Sequence, residues 1–218
     1  IARHYDSMKK WLGHMRSNYL KNGIMTKDKY GDWCVPPESP KLIHSKDSTR
    51  ITDGALLATA YYYRVLFLME DFARLLNKPD DASAFSSEKE TVKSAFNARY
   101  FNAEAKQYAN NTVTANLLPL CFGMTPKEYE SAVFEQIANK TTTVDNSHVS
   151  TGVVGIQWLM RGLTAYGRAD LALKIATNRD YPSWGYMVEN GATTIWELWN
   201  GNTADPSMNS GNHVMLLG

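Results

Sequence analysis

The sequence predicts an all-α protein folded as a double-layered ring of α-hairpins, and three observations point that way. Apolar residues recur at three- and four-residue spacing through most of the 218 residues. Stretches that are apolar nearly all round alternate along the chain with stretches wet on one face, as inner and outer helix layers would. Alternating β-branched runs, the mark of half-buried strands, are few.

The elements follow in order. From Ile1 to about Lys21, Tyr5, Met8, Trp11, Leu12 and Met15 share one helical face, which places Trp11 in the core. Thr49 or Thr52 is the expected cap of a long helix that ends at Asn77-Lys78-Pro79. Leu56, Leu57, Tyr61, Tyr62, Tyr63, Val65 and Leu66 surround that helix, so it belongs to the inner layer. From about Asp81 to Tyr100 the pattern is amphipathic, with Phe85, Val92 and Phe96 inward and Glu88, Lys89, Glu90 and Lys93 solvated. An apolar inner helix follows over Thr112 to Phe122, then a charged outer one opened by Pro126 and reaching about Asn139. A further inner helix spans about Thr151 to Tyr166, and Gly167 separates it from Arg168 to Thr177. Thr141 to Val144, and Tyr100-Phe101 through Tyr108, are expected as short connecting strands.

Composition narrows the function classes. Hydrophobic content of 44% and charged content of 21% are ordinary for a globular domain. A chain this long buries roughly 70% of its unfolded surface if it folds alone. The 23 basic and 22 acidic residues interleave without a polybasic stripe, which argues against a nucleic-acid partner. No apolar run is long enough to cross a bilayer. Cys34 and Cys121 stand far apart, with neither zinc spacing nor a disulfide framework, and are expected as small buried hydrophobes. No His and carboxylate cluster has ligand spacing, so neither metal nor other cofactor is expected. Both ends fall inside apolar helical patterns, so the chain is expected to be a fragment of a longer protein.

The chemistry concentrates near the end of the chain. Glu197 stands between Trp196 and Trp199, just after a Gly191-Ala-Thr-Thr194 run that resembles a helix start. A carboxylate between large flat apolar rings suits a sugar-cleaving site, since the rings cover the apolar face of a pyranose and exclude water. On the residues alone a second reading is equally open: Trp196 and Trp199 anchor one helix face in the core and Glu197 points to solvent. Asp32 lies in an aromatic loop, Tyr30-Gly-Asp-Trp33, where it either meets a ligand or caps a neighbouring N–H beside a core Trp. Asp53, Glu70 and Asp71 are candidates only because they are acidic. Trp158 is expected in the core, and Trp184 either walls a pocket or plugs the end of the fold.

Tyr181-Pro-Ser-Trp-Gly-Tyr186, followed by Gly191-Ala-Thr-Thr-Ile-Trp-Glu-Leu-Trp-Asn-Gly201, resembles the signature of glycoside hydrolase family 78, the α-L-rhamnosidases. Ser147-His-Val-Ser-Thr-Gly-Val-Val-Gly155, Tyr166-Gly-Arg-Ala-Asp-Leu-Ala172 and Met208-Asn-Ser-Gly-Asn-His213 extend the resemblance on both sides, and Tyr30-Gly-Asp-Trp33, Ala58-Thr-Ala-Tyr61 and Tyr108 through Gly123 extend it to the early chain. The resemblance implies an (α/α)6 barrel, here an incomplete portion with about eight of twelve helices, lying within a single catalytic domain.

It also implies an inverting hydrolase that releases terminal α-L-rhamnose from a glycan or glycoside, with Glu197 as the general base that activates water. The family's general acid belongs to a segment with no counterpart here, and is expected upstream of Ile1. Asp32 and Trp33 are then expected to line the sugar pocket, Trp33 on the apolar face of the ring, with Trp196 and Trp199 flanking the base. His213 is expected to contact the sugar, its imidazole offering one donor and one acceptor to adjacent hydroxyls. His148 carries a weaker expectation and could equally be a helix-start residue beside a glycine needed for close packing. Leu198 and Asn200 stand where the family commonly has Arg and Asp. The alternatives are an (α/α)6 glycosidase for another sugar and a non-catalytic carbohydrate-binding module.

Overall fold

A computed structural model describes residues 1–201 and 210–212. Eight α-helices and two minimal two-stranded sheets make up the described regular structure, beside short 3-10 and π turns. The chain divides into two compact units, one of residues 1–29 and 53–101 and the other of residues 30–52 and 102–218.

In the first unit, α1 (Tyr5–Tyr19) buries Tyr5 and Leu12. Trp11, expected in the core, is instead 51% exposed. It lines a groove with Met15, Tyr61 and Val65, because the buried face of α1 runs through Tyr5 and Leu12, seven residues and two turns apart. Strands β1 (Leu20–Lys21) and β2 (Ile24–Met25) form a hairpin across Asn22-Gly23, whose φ angles of 51° and 78° are those of the primed turns that such dipeptides favour.

The cap of helix α2 (Gly54–Leu75) is Asp53, one residue beyond Thr52 and four beyond Thr49. The Asp53 carboxylate accepts from Leu56 N at 3.0 Å and fixes the start, so Asp53 is a helix cap. As expected of an inner helix, α2 buries residues on several sides, among them Leu56, Tyr63, Leu66 and Met69. It packs on α3 (Pro79–Tyr100), which begins at Pro79 and buries Phe85, Val92 and Phe96. Glu70 is buried and paired with both Arg74 and Lys89 at 2.6 Å.

Phe101–Asn102 and Gln107–Tyr108 form strands β3 and β4, at the place where the sequence predicts a connecting pair. In the second unit, α4 (Val113–Cys121) is buried almost throughout, and Thr112 caps it by accepting from Ala115 N at 3.1 Å. The Thr52 hydroxyl lies 2.6 Å from that of Thr112, and Thr49 belongs to a 3-10 turn capped by Asp47, which accounts for both expected α2 caps.

Helix α5 (Glu130–Asn139) runs on into a π turn at Lys140–Val144, where the sequence predicts a strand. Thr142 and Thr143 donate to the carbonyls of Ala138 and Asn139, four residues back. These bonds keep the β-branched run coiled. Helix α6 (Val153–Ala165) lies against α4 through two glycines on one face. A Cβ at Gly155 would meet Thr114 Oγ1 at 2.3 Å, and one at Gly162 would meet Leu117 Cδ1 at 2.7 Å. Helix α7 (Ala169–Thr177) and the short α8 (Trp184–Glu189) complete the described helices. Ser183 starts α8 by accepting from Tyr186 N at 2.9 Å. The core of this unit gathers Leu117, Ile137, Ile156, Leu163, Ile175 and Trp199.

Candidate active site

The site is built where the 30–34 loop meets the start of α6. Gly152 N donates to Asp32 Oδ2 at 2.9 Å. Val153 N donates to the Trp33 carbonyl at 2.7 Å. Val154 N and Gly155 N both donate to Asp32 Oδ1, at 2.9 and 3.0 Å. The four amides that begin a helix and lack partners inside it are thus all satisfied by two residues about 120 positions earlier. Thr114 Oγ1, on α4, adds a bond of 2.5 Å to Asp32 Oδ2. Burial pushes the Asp32 carboxyl above its ordinary range, while the Thr114 hydroxyl and the three amides pull it down.

This close approach needs Gly152. A Cβ there would lie 2.2 Å from the Trp33 carbonyl oxygen and 2.4 Å from that of Asp32. Asp32 itself is only 8% exposed, with both oxygens committed to protein donors. The expectation that it touches the sugar gives way to the capping alternative, across a long sequence separation.

Trp33 is half-buried and directs its indole N–H to Glu197 Oε1 at 2.9 Å. Its ring meets Tyr30 edge-on at 5.6 Å and tilts against His44 at 5.2 Å. Tyr30, Trp33, Cys34, Val35, His44 and Ile51 help to line a cleft of about 190 Å³. No sequence motif marks His44, eleven residues past Trp33; only its proximity in the fold brings it to the site.

Glu197 is half-buried and lies in a bend, not a helix. The Gly191–Thr194 run therefore starts no helix, and the reading of two indoles on one helix face fails with it. Glu197 pairs with Ser210 instead. Its amide donates to the Ser210 carbonyl at 2.9 Å, and Ser210 N returns a bond of 3.2 Å to Oε2. Each carboxylate oxygen thus accepts from one N–H donor. Cys34 lies close enough to feel this charge: burial, then the negative charges of Glu197 and Asp32, push its thiol up to about 12.

The two flanking indoles separate. Trp196 is half-buried with its six-membered ring over Gly201, where a Cβ would come within 2.3 Å. Trp199, expected to flank the base, is 1% exposed and packs edge-on against Trp184 in the core, 5.6 Å away. At that burial Trp199 packs as an anchor of the fold. Leu198 is buried with it. Asn200 donates to the carbonyls of both Pro40 and Leu42 at 2.8 Å, which an Asp could not do. His148 lies before α6 with Nδ1 3.1 Å from the Asp145 carbonyl. His213 lies outside the described residues. No group of three or more His, Cys, Asp or Glu among the described residues has the geometry to hold a metal ion, and no described helix is long and apolar enough to cross a membrane.

The model of the bacterial alpha-L-rhamnosidase six-hairpin glycosidase domain matches residues 1–218. The chain belongs to that family. It is 34% identical to an alpha-L-rhamnosidase of Formosa agariphila over 228 residues, covering 100% of this chain and 23% of that protein. An alpha-L-rhamnosidase of Alteromonas sp. is 33% identical, with 96% of this chain and 23% of its own length covered. Among solved structures, the alpha-L-rhamnosidase of Dictyoglumus thermophilum aligns with a TM-score of 0.87 at 33% identity, over 99% of this chain and 24% of that one. The Streptomyces avermitilis enzyme complexed with L-rhamnose aligns with a TM-score of 0.85 at 27% identity, over 99% and 20%. The chain therefore spans about a quarter of the relatives it matches, and its all-α fold is a portion of a six-hairpin (α/α)6 domain.

Proposed function

We propose that this chain carries the general base of an inverting α-L-rhamnosidase, and that its full-length protein releases terminal α-L-rhamnose from a glycan or glycoside. The observation that carries the reading is the setting of Glu197. Two N–H donors, the Trp33 indole and the Ser210 amide, each hold one of its oxygens. Those bonds hold the carboxylate in one place, as a general base must be held to reach the proton it takes. They also fix its direction beside the aromatic cleft. The names of the relatives supply the sugar.

In the reaction, Glu197 takes a proton from water as that water attacks the anomeric carbon. A general acid from outside residues 1–218 protonates the leaving oxygen, with the two carboxyls roughly 6.5–9.5 Å apart to leave room for the water. Trp33 and Trp196 offer flat faces to the pyranose.

The test is hydrolysis of an aryl α-L-rhamnoside by the full-length protein, wild type against Glu197→Gln, with the released anomer followed by NMR. Inverted rhamnose from wild type and a rate at least about 10³-fold lower in the variant are expected. Retained stereochemistry, or a variant as fast as wild type, refutes the assignment of Glu197.

A further inference from the structure

We propose that Asp32 is a positioning residue for Glu197, acting through Trp33 and never touching the substrate. The inference rests on the general-base reading of Glu197. Its basis is a continuous chain of hydrogen bonds from the start of α6 to the base. Three α6 amides and Thr114 hold the Asp32 carboxylate, and Val153 N holds the Trp33 carbonyl. The next link is the Trp33 indole, bonded to Glu197 at 2.9 Å. Capping alone would need one or two of the amides. Satisfying all four first amides of α6 from adjacent residues 32 and 33 fixes the backbone that aims the indole. The negative charge at a helix N-terminus adds a favourable field that keeps the clamp closed.

Without the clamp the indole is free to turn, and Glu197 loses the donor on Oε1. The base is then held less closely to its productive position, so kcat falls while KM changes little.

The experiment uses the full-length enzyme with an aryl α-L-rhamnoside, comparing Asp32→Asn, Trp33→Phe and the double variant. Asparagine keeps the shape but replaces an acceptor oxygen with an N–H₂ group that faces amide N–H donors. Asp32→Asn is expected to lower kcat on the order of 10²-fold with KM within about twofold of wild type. Trp33→Phe is expected to lower kcat equally, and the double variant to lower it no further, since one path carries both effects.

An Asp32→Asn enzyme with a lowered Tm and a wild-type kcat overturns the proposal. So does a double variant whose losses in kcat add. Should Asp32→Asn not fold, Thr114→Val removes one of the four bonds, with a smaller loss of kcat at unchanged KM expected; an unchanged kcat overturns the proposal there too. Glu197→Gln, run alongside, separates the two levels of failure. Full rate in that variant refutes the base assignment and the clamp with it, whereas lost rate there and an unchanged kcat in Asp32→Asn refute the clamp alone.

Discussion

Replacing Gly152 with alanine tests the contact on which the site is built. Gly152 has φ −87° and ψ −163°, extended backbone that alanine adopts without strain, so any cost comes from space alone. The added Cβ would meet two backbone carbonyl oxygens at 2.2 and 2.4 Å, about 1 Å inside ordinary contact, and neither can rotate away. The 32–33 segment must therefore move off α6. Overpacking of this kind costs about 1–3 kcal/mol. The movement also breaks the bonds Gly152 N makes to Asp32 and Val153 N makes to Trp33, each leaving a buried donor at about 1–3 kcal/mol. Against this stands a gain of about 0.4–1 kcal/mol from the stiffer unfolded chain. The midpoints of these ranges give an expected net loss of about 5 kcal/mol, or a transition some 10–20 °C lower for a domain of this size. Calorimetry of the full-length protein measures it. Gly13→Ala is the control: a Cβ there meets nothing within 4 Å, and the helix gains about 0.5–1 kcal/mol. A Gly152→Ala protein within about 1 kcal/mol of wild type refutes the close-approach reasoning.

Two further outcomes are expected. Burial pushes the Glu70 carboxyl up, but the Lys89 ammonium and Arg74 guanidinium outweigh it and hold the group below its ordinary range. A depressed carboxyl stabilises the fold above its unfolded value, near pH 4.3, and that contribution disappears as pH falls through the folded value. Glu70→Gln should therefore destabilise by about 1–3 kcal/mol at pH 7 and by progressively less in urea titrations below pH 4; a difference independent of pH refutes the pairing. Cys34 is 5% exposed with its thiol pushed up to about 12, so iodoacetamide at pH 8 should label it only after denaturation. Labelling of the native protein at the rate of a free thiol would show the loop to be open.

Helix identity was legible in the sequence wherever local physics decided it. The all-round apolar pattern of residues 56–66 and the stop of α2 before Pro79 needed no partner to be read. Failures came where a distant partner decided. Trp11 fits a helical stripe, yet Tyr5 and Leu12 occupy the buried line and leave it exposed. The threonines of 141–144 suit a strand until their hydroxyls turn back to the preceding carbonyls. Trp196 and Trp199 look alike in the motif, but one lies over Gly201 and the other enters the core. Asp32 was visible as a residue of consequence, flanked by aromatics. Its work could not be read, because every donor it uses lies on α4 or at the start of α6.

That separation has a consequence during synthesis. The donors of α6 leave the ribosome about 120 residues after Asp32. At roughly 5–20 residues per second, the nascent 30–34 loop waits about 6–24 s for them, its carboxylate still hydrated and its indole unhoused. Glu197 follows later still, 164 residues behind Trp33. This corner is thus assembled late on the emerging chain, and a chaperone that shelters an aromatic loop in that interval would guard the candidate site before it exists.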